Sequence, residues 1–219
     1  DKQHPLFVLR ALGGFGKSAL SWYWLLHDVD SAKWQKVVWW SFYEGDASFE
    51  TFIAKTLDYL KIEKPEGQGD QVDKLLNAMK KENLLLVMDG FERALRAYSS
   101  MNAAYQGDEA TKGDGNERDC VNLNAEKFLT SLSSLPDVKS KVLMTTRLTP
   151  RAVKPRGESM LGCREEELTA MQKEDAVEFF HKQKIKGTHA EIEAACTPYG
   201  YHPLSLRLLA GRILKDFVN

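Results

Sequence analysis

One segment, Ala11-Leu12-Gly13-Gly14-Phe15-Gly16-Lys17-Ser18, separates a short apolar run at 6–9 from a stretch at 17–27 with helical apolar spacing. Strand, glycine turn and helix in that order narrow the choice of fold more than any other feature of the chain. Glycines let backbone N–H groups turn toward a common point, a helix start adds donors and the positive end of its dipole, and a lysine adds a point charge. Phosphate oxygens are the ligand that such a loop suits. The candidate contacts are Leu12, Gly13, Gly14, Phe15, Gly16, Lys17, Ser18 and Ala19, and the Ser18 hydroxyl suits Mg²⁺. The full spacing pattern has a glycine where Ala11 stands. The plainer reading is a glycine turn whose lysine faces solvent.

Downstream the same rhythm repeats. Residues 36–42 read as a second strand, and Phe49, Phe52, Ile53, Leu57 and Leu60 recur at helical intervals. A polar loop over 63–70 leads to a helix carrying Val72, Leu75, Leu76 and Met79. The almost wholly apolar run at 84–88 is expected of a parallel strand covered on both faces. Another strand is expected at 141–146, after a helix marked by Phe128, Leu129 and Leu132 and a break at Pro136. Strands alternating with helices predict an α/β fold, a parallel sheet flanked by helices of the P-loop NTPase kind. Helices alone are expected at 173–182, 190–196 and 202–214. The division predicted is a nucleotide-binding domain over 1–160 and the start of a small helical subdomain over 161–219.

The stretch at 99–122 is rich in Gly, Asp, Asn and Ser and reads as a long surface loop. The formal charge of -1 supplies no global positive field for nucleic acid. Cys120, Cys163 and Cys196 are scattered without metal-ligand spacing, which argues against structural zinc and a disulfide framework. The apolar runs are too short to cross a bilayer and the first residues do not read as a signal peptide, so a cytoplasmic setting is the expectation.

Catalytic candidates follow from the strand ends. Asp89 closes the apolar run at 84–88 and can hold Mg²⁺ together with Ser18. Glu92, three residues on, can act as general base toward an attacking water. Arg147 follows the strand at 141–146, at the edge where ligands bind in parallel sheets, and can sense a γ-phosphate. With Lys17 these complete the catalytic set. Each has a plainer role as a turn residue, a solvated helix-start acid or a surface ion pair.

Taken together, the loop, VVWWSFYE at 37–44, Leu84 to Asp89 and VLMTTR at 142–147 resemble the NB-ARC type of STAND ATPase, signal-transduction switches of bacterial defence and of plant and animal immune receptors. Gly200-Tyr201-His202-Pro203-Leu204 resembles that family's Gly-x-Pro-Leu motif, which implies that Pro203 packs against an adenine. Ala11 departs from the pattern, as does Gly90 where a second acid commonly stands. The resemblance implies ATP or ADP and Mg²⁺ as ligands, slow hydrolysis, a homo-oligomer on activation, and effector and sensor domains elsewhere in the same full-length chain. Rival expectations are a nucleotide-binding module without hydrolysis, a DNA-dependent ATPase of the related class, and a kinase.

Overall fold

The computed structural model describes residues 3–98, 116–135 and 138–217. Most of the expected loop at 99–122 and the expected break at Pro136 lie outside the described residues. Two compact units are present, the first formed by Asp1–Arg10 and Ser18–Glu167, the second by Ala11–Lys17 and Leu168–Asn219.

The first unit is built on a five-stranded, all-parallel sheet. Its strands are β1 (Leu6–Arg10), β2 (Lys36–Ser41), β3 (Leu84–Asp89), β4 (Lys141–Thr146) and β5 (Cys163–Glu167), in the spatial order β2-β3-β4-β1-β5. The strand alternation sends Leu6 and Val8 of β1, Leu84, Leu86 and Met88 of β3, and Val142 and Met144 of β4 into one core. That core is closed by α2 (Phe49–Leu60), α3 (Gln68–Lys81) and α4 (Leu123–Ser134), whose Phe52, Leu75 and Phe128 are fully buried. Helix α2 starts where the Ser48 side chain accepts from Thr51 N, and α4 where Asn122 accepts from Asn124 N and Ala125 N. The opposite face carries Phe7, Leu9, Leu85 and Leu143, which together with Leu20 and Trp24 of α1 (Lys17–His27) line a groove of about 610 Å³.

Sequence reasoning missed β5. Its residues, Cys-Arg-Glu-Glu-Glu, have neither an apolar alternation nor good strand propensity. It pairs with β1 as an edge strand, and its acids are neutralised locally. Glu165 accepts from Arg10 Nε at 3.0 Å and from Lys154 Nζ at 2.7 Å. Burial alone would raise the Glu165 carboxyl, yet hydrogen bonds from Lys154 and Arg10 hold it below its ordinary value.

In the second unit α5 (Lys173–Lys182), α6 (His189–Cys196) and α7 (Pro203–Phe217) close a small core around Phe180, Ile192, Cys196 and Leu206. A capping box opens α6, with the Thr188 and Glu191 side chains each bonded to the other's backbone N–H. Helix α7 opens with Pro203, whose fixed φ and missing N–H suit a first turn. Among the described residues no helix is long and apolar enough to cross a membrane.

Candidate functional site

All five strands point the same way, so their carboxyl ends share one edge of the sheet, the edge where open α/β folds bind ligands. Register fixes what meets there. Ser41 of β2 lies beside Asp89 of β3, Met88 beside Met144, and Leu9 of β1 beside Thr145 of β4. The strand inserted between β1 and β3 therefore delivers Thr145 directly to Asp89.

Asp89 is 4% exposed, and its Oδ1 accepts two hydroxyls, Ser18 Oγ at 2.8 Å and Thr145 Oγ1 at 2.6 Å. Thr145 Oγ1 in turn accepts from Gly90 N at 2.9 Å, which fixes the hydroxyl's direction. Among the described residues, both hydrogen bonds to this buried Oδ1 come from hydroxyls, and a cluster of hard oxygens of this kind suits a divalent cation. One carboxylate and one hydroxyl are the share of the ligand set that a protein gives to Mg²⁺ when phosphate oxygens and waters supply the rest. Ser18 and Asp89 thus fit the ion expected of them.

Three residues further on, the 3-10 turn Phe91–Ala94 carries Glu92, 1% exposed. Its Oε1 accepts the Tyr43 hydroxyl at 2.5 Å and lies 3.2 Å from Arg147 Nε, while Oε2 is buried with no hydrogen-bond partner among the described residues. Arg147 also stacks over the Tyr98 ring, 5.6 Å from its centroid. Burial first, and the Glu92 charge second, push the Tyr43 phenol well above its ordinary pKa. Tyr43 reaches Glu92 because Gly90 has no side chain. A Cβ there would meet the tyrosine ring at less than contact distance, and Gly90 also adopts φ +77°.

In the second unit the segment Ala11–Lys17 takes positive φ at Gly14 (+79°) and Gly16 (+84°). These are the two positions where glycine is required by the backbone. Ala11 has no positive φ, so an alanine is tolerated where the spacing pattern has glycine. Lys17 is 6% exposed, and its Nζ donates to Ala11 O at 2.6 Å and Leu12 O at 3.0 Å. The cation is drawn back over the loop's own carbonyls.

The start of α7 supports the same loop. Leu204 N donates to Gly14 O at 3.2 Å, and His202 Nε2 lies 3.1 Å from Gly13 O. A carbonyl only accepts, so Nε2 carries the hydrogen and Nδ1 is left to accept from Ser205 N. The Phe15 and His202 rings meet edge to face at 4.6 Å. A Cβ at Gly14 would come within 2.7 Å of His202 Cε1 and 2.9 Å of Leu204 Cβ. The loop contacts near Pro203 are thus made by its two neighbours. Leu12 and Ala19 are exposed, and Gly13 and Phe15 half-buried.

Of the residues expected from sequence, Ser18 and Asp89 are in direct contact, and Glu92 and Arg147 form an ion pair. Thr145 and Tyr43 were not anticipated beside Asp89 and Glu92, nor His202 beside the glycine loop. Thr145 is the next-to-last residue of β4 and Tyr43 lies two residues beyond β2, places worth searching, but nothing in their spacing marks them. No family model matches the sequence, and no curated protein matches it significantly. In fold the chain is similar to a signal transduction ATPase with numerous domains, a STAND protein with a tetratricopeptide repeat sensor from Pyrococcus horikoshii. The TM-score is 0.60 at 16% identity, over 95% of this chain and 28% of that one, so this chain spans little more than a quarter of that protein's length.

Proposed function

We propose that this chain is the nucleotide-binding core of a STAND-like P-loop ATPase that works as a slow signalling switch. The convergence of Ser18, Thr145 and buried Asp89 at the carboxyl edge of a parallel sheet, directly after a glycine loop ending in Lys17, carries the reading. Gly13, Gly14, Phe15 and Gly16 offer backbone N–H groups to the phosphates of ATP or ADP, with Lys17 as the matching charge. Ser18 and Asp89 hold Mg²⁺, which when bound supplies charge neutralisation to the β- and γ-phosphates. Glu92 takes the proton of the attacking water and Arg147 responds to the γ-phosphate.

The fold likeness to a signal transduction ATPase supports a switch, in which ATP and ADP favour different states of a larger chain. Oligomerisation on activation, effector and sensor domains, and a role in a defence or cell-death pathway belong to the same proposal. Pro203 is the proposed adenine wall. The Glu92–Arg147 ion pair favours slow turnover, because Oε1 is engaged by Arg147 until that side chain moves. The test is multiple-turnover hydrolysis of Mg-ATP by the parent protein and by Glu92→Gln. Parent turnover with a drop of at least about 100-fold in the variant is expected. A parent that binds ATP and releases no phosphate would make the chain a binding module.

A further inference from the structure

The two oxygens of Glu92 stand in unequal surroundings. Oε1 has two partners, the Tyr43 hydroxyl and the Arg147 guanidinium, while Oε2 is buried with none among the described residues. The two partners differ in kind. Tyr43 has a stiff side chain whose ring is laid against Gly90, with the Arg93 guanidinium 5.8 Å from its centroid on the ring face. Arg147 has a long, flexible side chain and meets Glu92 through Nε at 3.2 Å without hydrogen-bond alignment. An arginine that turns to a γ-phosphate leaves Glu92 with Tyr43 alone.

Resting on the hydrolytic reading above, we infer that Tyr43 is a positioning residue for Glu92, its hydroxyl anchoring Oε1 so that Oε2, which no hydrogen bond among the described residues engages, is the oxygen left to take the proton of the attacking water. In the step so arranged, the water gives a proton to Oε2 and its oxygen forms the new bond to the γ-phosphorus. The bond from that phosphorus to the β,γ-bridging oxygen breaks, and its electron pair leaves with ADP. Tyr43 neither gains nor loses a proton. It acts by restraining a carboxylate that otherwise rotates about its last side-chain bond.

The test compares Tyr43→Phe, which keeps the ring over Gly90 and removes only the hydroxyl, with Glu92→Gln and the parent. Steady-state Mg-ATP hydrolysis is measured alongside ATP affinity by calorimetry. Tyr43→Phe is expected to lower kcat about tenfold while leaving ATP affinity and a cooperative unfolding transition in place. An inactive Glu92→Gln beside a Tyr43→Phe with the parent's kcat would overturn the positioning role and leave Glu92 as the base. A Tyr43→Phe that loses kcat and ATP affinity together would also overturn it, since a structural role explains both losses. A parent without turnover, or a Glu92→Gln as active as the parent, would remove the hydrolytic reading itself.

Discussion

Ser18 Oγ donates to Asp89 Oδ1 at 2.8 Å, joining residues 71 positions apart at the carboxyl edge of the sheet. The contact sets a hydroxyl at a helix start against a carboxylate at a strand end. Both are oxygen donors of the hard kind that Mg²⁺ takes. Thr145 holds the carboxylate from the β4 side.

Asp89→Asn keeps an oxygen to accept from Ser18 and Thr145 and replaces a buried carboxyl by a neutral amide. The variant without nucleotide is expected to unfold at a temperature equal to or above that of the parent. Its stabilisation by Mg-ADP over ADP alone should disappear. Thermal unfolding with and without Mg²⁺ checks this, and a Mg²⁺-dependent shift as large as the parent's would remove Asp89 from the metal site.

Gly90→Ala forces a side chain into φ +77° and drives its Cβ into the Tyr43 ring. The left-handed conformation and the displaced ring together are expected to destabilise the first unit by about 2–4 kcal/mol. Denaturant unfolding measures the loss. The double variant Gly90→Ala/Tyr43→Ala should recover part of it, because the clash is gone and the φ strain remains.

Much of this fold was legible in the sequence. Apolar runs marked β3 and β4 because buried parallel strands carry little else, and helical spacing marked α2, α3 and α5. What escaped depended on partners distant in sequence. β5 is a strand because Arg10 and Lys154 neutralise Glu165, and no local pattern announces that. The insertion of β4 between β1 and β3, which brings Thr145 to Asp89, is a matter of strand order that periodicity does not encode. Tyr43 belongs to the site because Gly90 is bare, again a relation between two elements.

Glu165 supplies a pH test of the β5 edge. Its folded carboxyl is held below its ordinary value, so the stability it contributes is present above that ordinary value and is lost as pH falls through the lower, folded one. Glu165→Gln is expected to lower stability at pH 7 by roughly 1–2 kcal/mol. The difference from the parent should shrink as pH falls below the ordinary carboxylate range. Denaturant titrations at several pH values check the trend, and a difference that grows toward acid would contradict the ion-pair account.

The central claim is that the loop ending in Lys17 holds nucleotide phosphates. Isothermal titration of the parent and of Lys17→Ala with ATP and ADP in Mg²⁺ tests it most directly, with unfolding curves to show that the variant is folded. Removing a charge-assisted contact to phosphate should weaken binding by about 2–3 kcal/mol, roughly 30- to 150-fold. Unchanged affinity in a folded Lys17→Ala, or no binding by the parent, would contradict the account.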